Sequence, residues 1–260
     1  MTDWAKLRHA YGSASDIPPL LEQLSPDPEA DVWDELWGRI CHQGSVYSAS
    51  FPVLPYLADA AERWPIAARV MPLALASAIV MGGRALDSPD AELIDTGIGL
   101  ASRYLEVGQD GLVDTVERLR RIAFDSFPAE GLSGVAFIDL LQSTLALCGD
   151  RLWGENLYRL SEGEFEGACP SCHSNLYLIV GEYGYFTVAG DYMEKSQVER
   201  LGIWPAEPAS LTGTGRWLHD RAVDGGHPDL AFWICHVFGM TACPVCDNRF
   251  VVSEAIARTA

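Results

Sequence analysis

The sequence predicts a mainly α protein, with an α-helical repeat or bundle over residues 1–160 followed by a small α+β domain over residues 161–260. Three observations carry this. Apolar residues recur at helical spacing through the first 160 positions. The composition turns acidic and glycine-containing at 161–167, as at a domain boundary. Beyond it, strand-like apolar runs follow two copies of a Cys-Pro-x-Cys tetrapeptide.

The elements follow in chain order. Asp16 with Pro18 opens a helix that stops near Leu24, before Pro26 and Pro28. Val32, Trp33, Leu36, Trp37 and Ile40 form one face of a helix over 31–40. Ser50 caps a third helix, whose Pro52 and Pro55 sit in the tolerant first turns and whose Leu54, Leu57, Ala58 and Ala61 point inward. Residues 66–81 are apolar all round, as in a helix packed between neighbours, and Gly82-Gly83 should end it. Helices over 90–107 and 110–124 follow. The latter presents Leu112, Val116, Leu119, Ile122 and Ala123 on one face, with Asp114–Arg118 and Glu117–Arg121 as pairs four apart on the other. An apolar helix over 132–148 ends at Gly149. After the boundary, 176–182 and 185–188 flank Tyr183-Gly184 as a β-hairpin, and 217–223 with 229–238 read as a helical hairpin.

The chemistry sits in the tetrapeptides Cys169-Pro170-Ser171-Cys172 and Cys243-Pro244-Val245-Cys246. Two thiols with two residues between them on a tight turn can face one cation, and two such turns complete a tetrahedral four-sulfur shell with no open position. Cys169, Cys172, Cys243 and Cys246 are therefore the expected ligands of a structural Zn2+, and knuckle, polar turn and strand repeat after each pair as in a zinc ribbon. Residues 173–242 separate the pairs, more than the roughly 15–20 of a compact site, so an insertion must lie inside the ribbon. His173 and His236 are reserve ligands. The rival reading is redox chemistry at a Cys-x-x-Cys pair, which normally opens a helix; both copies here lead into a strand. Cys41, Cys148 and Cys235 read as small hydrophobes.

Composition narrows the function classes. The net charge is −18, with 12 Lys+Arg against 23 Asp+Glu in 1–160 and 6 against 13 in 161–260. Neither part offers the clustered cations that phosphate binding requires, so a nucleic-acid partner is disfavoured and a basic protein partner favoured. The charge-free run 70–83 is shorter than the roughly 20 residues a bilayer span needs and reads as a buried helix, with no membrane partner expected. The chain begins without a secretory signal and its cysteines fit a metal site better than a disulfide framework, which points to a cytoplasmic setting. Nucleophile elbow, His-Glu-x-x-His and P-loop patterns do not occur. His219 and His227 with Asp220 and Asp224 could mark a second metal or acid–base pair, against an ordinary solvated helix end; Glu162, Glu164 and Glu166 read as a solvated linker. The polar run from His42 to Ser50 is either a contact surface or an interhelical turn.

Residues 7–18, including His9-Ala10-Tyr11-Gly12, and 36–50, including His42-Gln43-Gly44-Ser45-Val46-Tyr47, resemble a group of bacterial HEAT-like repeat proteins over chiefly the first 80 positions. The resemblance implies an α-helical repeat and a protein-binding role, in some members that of an immunity protein blocking a toxin. The expected function is thus a non-enzymatic protein-binding module with a structural zinc site, possible immunity action being aimed at a basic toxin domain. An enzyme with an interdomain cleft holding His42, His219 or His227, and a transcription-associated zinc ribbon, are the alternatives.

Overall fold

A computed structural model describes residues 2–86, 109–127, 131–190, 192 and 198–259. Among them helices dominate and the sheets are small, so the fold is mainly α. The helix expected over 90–107 lies outside the described residues. The chain divides into two units, Met1–Gly131 with Asp139–Glu155, and Leu132–Ile138 with Asn156–Ala260.

In the first unit, β1 (Arg8–His9) and β2 (Gly12–Ser13) form a short hairpin leading into α1 (Ile17–Glu22). Asp16 does not cap α1 through its side chain. Its carboxylate instead accepts from His9 Nε2 at 2.9 Å and Arg39 Nε at 3.0 Å. Partial burial pushes the Asp16 pKa up, but the hydrogen bonds from Arg39, its own backbone and His9 outweigh it, and the net shift is downward. The Tyr11 N–H donates to His9 Nδ1 at 3.0 Å, which leaves the ring proton on Nε2 facing that carboxylate.

Helix α2 (Asp31–Ile40) buries Val32, Trp33, Leu36 and Ile40 on the expected face. The run after it connects to the next helix through a second hairpin, β3 (Cys41–His42) with β4 (Ser45–Val46). Gln43 and Gly44 adopt φ of 49° and 79°, the double left-handed turn that matches the twist of a two-residue hairpin. Ser50 is taken up by this hairpin and not by a helix cap: its hydroxyl donates to the Ile40 carbonyl and accepts the Tyr47 N–H at 2.8 Å. The two hairpins meet where the Tyr11 hydroxyl lies 3.3 Å from His42 Nδ1.

Helix α3 (Leu54–Arg63) packs on α4 (Val70–Leu86) and α5 (Gln109–Asp125). α4 runs through Gly82-Gly83 instead of stopping there. A Cβ at Gly82 would fall 2.7 Å from Val46 Cγ1, and one at Gly83 would fall 2.9 Å from the Phe51 ring, so these glycines are small for close packing. The segment Ile66–Gly83 is long and apolar enough to cross a membrane by length and composition, with mean hydropathy 1.7, yet 56% of it is buried inside the protein as in a core helix. On α5, Leu119, Ile122 and Ala123 are buried as expected. Arg118 pairs not with Asp114 but with Asp59 and Glu62 of α3, and Glu117 pairs with Arg120 at 3.0 Å. α6 (Gly134–Cys148) gives residues 134–138 to the second unit and the rest to the first, and α7 (Arg151–Asn156) follows, its last residue beginning the second unit again.

In the second unit α8 (Arg159–Glu162) leads into a four-stranded antiparallel sheet in order β5 (Glu164–Ala168), β6 (Asn175–Gly181), β7 (Gly184–Val188), β8 (Leu201–Gly202). The acidic linker of the sequence is therefore largely strand β5, whose Phe165 is fully buried while Glu166 points out. Helices α9 (Gly213–Asp224) and α10 (Pro228–Val237) form the expected hairpin, α9 starting four residues earlier and ending one later than the apolar pattern indicates, and α10 starting and ending one residue earlier. A second small hairpin, β9 (Met240–Ala242) with β10 (Arg249–Val251), precedes α11 (Val252–Ile256), which packs back on β5.

Glycine substitutions test this packing with opposite signs. A Cβ at Gly239, just before β9, would lie 2.1 Å from the Trp204 carbonyl oxygen, whereas one at Gly38 in α2 meets nothing within 4 Å. Gly239→Ala should lose at least the roughly 1–3 kcal/mol typical of overpacking. Gly38→Ala should gain about 0.5–1 kcal/mol by restricting the unfolded chain. Denaturant melts of the two variants read both signs; a neutral Gly239→Ala contradicts the packing described.

Candidate metal centre

The two tetrapeptides fold alike, residue for residue. Each follows a strand, β5 or β9, turns, and enters the antiparallel partner, β6 or β10. In the first turn the Cys169 N–H donates to the Ser174 carbonyl at 3.0 Å and the His173 N–H to the Cys169 carbonyl at 3.1 Å. In the second, the Cys243 N–H donates to the Asn248 carbonyl at 2.9 Å and the Asp247 N–H to the Cys243 carbonyl at 2.9 Å. The residue after each second cysteine is left-handed, His173 at φ 60° and Asp247 at φ 58°. That conformation turns the chain after the second cysteine towards the partner strand. Asp tolerates it comparatively well, because its short polar side chain bonds locally.

The four sulfurs then converge. Their Sγ atoms all lie within 4.8 Å of one another, so Cys169, Cys172, Cys243 and Cys246 could hold one metal ion. The Cys169–Cys246 and Cys172–Cys243 separations are both 3.7 Å. A disulfide would need about 2.05 Å. A tetrahedron with metal–sulfur arms of about 2.3 Å has edges of about 3.8 Å, and these two separations match such edges. Among the described residues no other group of three or more potential ligands gathers in this way.

The surroundings distinguish inner from outer sulfurs. Cys169 and Cys243 are buried, and each accepts a backbone N–H at 3.4 Å, from Ser171 and Val245. Cys172 and Cys246 are exposed. Between the bare thiols the protons are unevenly held. The Ser174 hydroxyl, 3.2 Å from Cys172 Sγ, and the Ser174 backbone pull Cys172 down to about 6, while burial pushes Cys243 up to about 12. A divalent cation would favour the thiolate form at all four positions. The N–H donors were not legible as individual residues, but the aligned repeat Cys-Pro-x-Cys-x-x before a strand was the signal that both turns would share one geometry.

The other candidates disperse. Neither His173 nor His236 belongs to the four-sulfur group. His219 Nδ1 lies 3.1 Å from Asp220, which also meets Arg216 at 3.5 Å; Asp224 pairs with Arg221 at 3.5 Å; and the His227 ring sits 4.3 Å from Phe137. Glu162 lies 3.9 Å from Arg159, and Glu164 accepts the Tyr192 hydroxyl. Cys41 and Cys235 are buried, with burial raising both thiols, Cys41 to about 11; Cys148 is exposed, contrary to its apolar reading. Comparison with protein-family models, with curated proteins and with solved structures gave no match.

His236 supplies a pH test. It is 3% exposed, stacks on Tyr185 at 4.0 Å and donates Nδ1–H to the Phe232 carbonyl at 2.9 Å. Burial lowers its pKa below the ordinary 6.5, against the Phe232 hydrogen bond. The unfolded ring gains a proton below about 6.5 while the folded one resists, so its stabilising share is full above that pH and is lost as pH falls. His236→Gln should flatten the decline in melting temperature between pH 7 and 5.5; an unchanged profile contradicts the buried, neutral ring.

Proposed function

We propose that Cys169, Cys172, Cys243 and Cys246 bind one structural zinc ion, and that the chain is a non-enzymatic protein-binding module. In this reading residues 161–260 are a zinc ribbon carrying a β-hairpin and an inserted helical hairpin, and residues 1–160 a HEAT-like helical array. The convergence of four sulfurs within 4.8 Å, two of their separations being 3.7 Å, supports the metal assignment. Four thiolates favour zinc over harder cations and saturate its usual coordination, leaving no position for a substrate. A thiol redox centre is the less economical reading, since the 3.7 Å contacts run between the two turns. The charge of −18 supports a basic protein partner, and an immunity-type block of a basic toxin domain is the most specific form of that proposal.

Metal analysis of reduced protein purified without added zinc is expected to find one zinc per chain. Cys169→Ser should abolish it and lower the melting temperature, by about 2–4 °C for each kcal/mol lost. Cys148→Ser, at an exposed site, should stay within about 0.5 kcal/mol of the parent. Equal losses from both substitutions contradict the zinc assignment. The binding role is tested separately by co-expression with the products of neighbouring genes. A stoichiometric complex with a basic protein, weakened by salt, is expected; its absence contradicts the partner proposal and leaves the metal untouched.

A further inference from the structure

The second unit holds a cavity of about 440 Å3 formed where four chain segments meet: the start of α6, the α8–β5 turn, the β6–β7 turn and the α9–α10 turn. Its size falls in the range of about 300–1,000 Å3 that small-molecule and side-chain pockets occupy. Its charged lining is of one sign. Glu162, Glu182 and Asp229 face it, and no lysine or arginine does. Glu162 has Arg159 at 3.9 Å, while Glu182 and Asp229 have no ion-pair partner among the described residues.

Two helices begin at the cavity, α6 and α10, and each contributes about half a positive charge at its amino end. That is too little to reverse the sign. Ser133 already caps α6 by accepting the Ala136 N–H at 3.2 Å, α10 opens on a proline that has no N–H, and three carboxylates outweigh two half-charges. The other walls include Tyr183, Trp233 and the apolar Ile138, Leu160 and Leu230. Aromatic faces attract cations and apolar walls accept a hydrocarbon stem. His227 also lines the cavity, with its Nε2 closed off from solvent and without a hydrogen-bond partner.

We infer that this cavity binds an organic cation, an ammonium or guanidinium carried on an apolar stem, supplied either as a free small molecule or as a lysine or arginine side chain of a protein partner. The inference rests on the cavity alone and holds whether or not the cysteines carry zinc.

Calorimetric titration of the full chain with butylguanidinium and butylammonium, with an acetyl-Gly-Arg-Gly-amide peptide, and with pentanoate as an anionic control tests it. One-to-one binding of at least one cation that weakens with salt, and no binding of pentanoate, are expected. Glu182→Gln lies in an exposed turn and should fold unchanged, as circular dichroism would verify; it should weaken binding about tenfold, the equivalent of about 1.4 kcal/mol. Asp229→Asn should weaken it similarly. Tighter binding of butylguanidinium or butylammonium than of the peptide assigns a free ligand, and the reverse assigns a partner's side chain. Absence of cation binding at millimolar concentration, retention of full affinity in the double variant, or equal binding of pentanoate would overturn the proposal.

Discussion

The fold of the second unit depends on bringing two turns together across a long stretch of chain. Cys169 and Cys243 close a loop containing most of the sheet and the whole α9–α10 hairpin, and the conformational entropy of that closure must be offset locally. Hydrogen bonds contribute: Thr187 and Thr241 hydroxyls meet at 2.9 Å in a buried position, and Trp204 and Met240 exchange both backbone bonds at 2.8 Å. Close packing contributes as well, since α11 approaches β5 so tightly that a Cβ at Gly167 would lie 3.1 Å from the Ala255 backbone. These contacts are each worth about 1 kcal/mol net. A structural zinc site, as proposed here, supplies roughly ten times as much, about 10–16 kcal/mol in small domains, and so would decide whether the two hairpins stay joined.

The inner and outer sulfurs divide the labour within such a site. Burial and N–H donors at Cys169 and Cys243 fix the two turns to their hairpins, while exposed Cys172 and Cys246 complete the shell at the surface. Burial pushes the Cys243 thiol up to about 12 and so disfavours its thiolate, and a bound cation would reconcile burial with charge there. The identical left-handed residue after each second cysteine is the backbone feature that makes the two halves equivalent.

Periodicity revealed the long helices because their burial is set by one face: Val32, Trp33, Leu36 and Ile40 in α2 and Leu54, Leu57, Ala58 and Ala61 in α3 fall as their spacing requires. The four-cysteine cluster was legible for a different reason, since only four thiols repeat with the same turn chemistry. What periodicity missed was decided by contacts distant in sequence. Gly82 and Gly83 read as a helix stop but serve close packing against Val46 and Phe51. Asp16 and Ser50 read as caps but are drawn into bonds with Arg39, His9 and Ile40. Two-residue strands such as β1 and β3 are too short to show alternation, and their hairpins are visible only through the turns that make them. The cation cavity belongs to the same class, because its carboxylates come from three separate turns.

The central claim is one ion held by four sulfurs, and X-ray absorption at the zinc edge of the freshly purified, reduced protein addresses it most directly. The account predicts a single shell of four sulfurs at about 2.3 Å with no nitrogen or oxygen neighbour. A mixed shell, fewer sulfurs or no metal at all would contradict it.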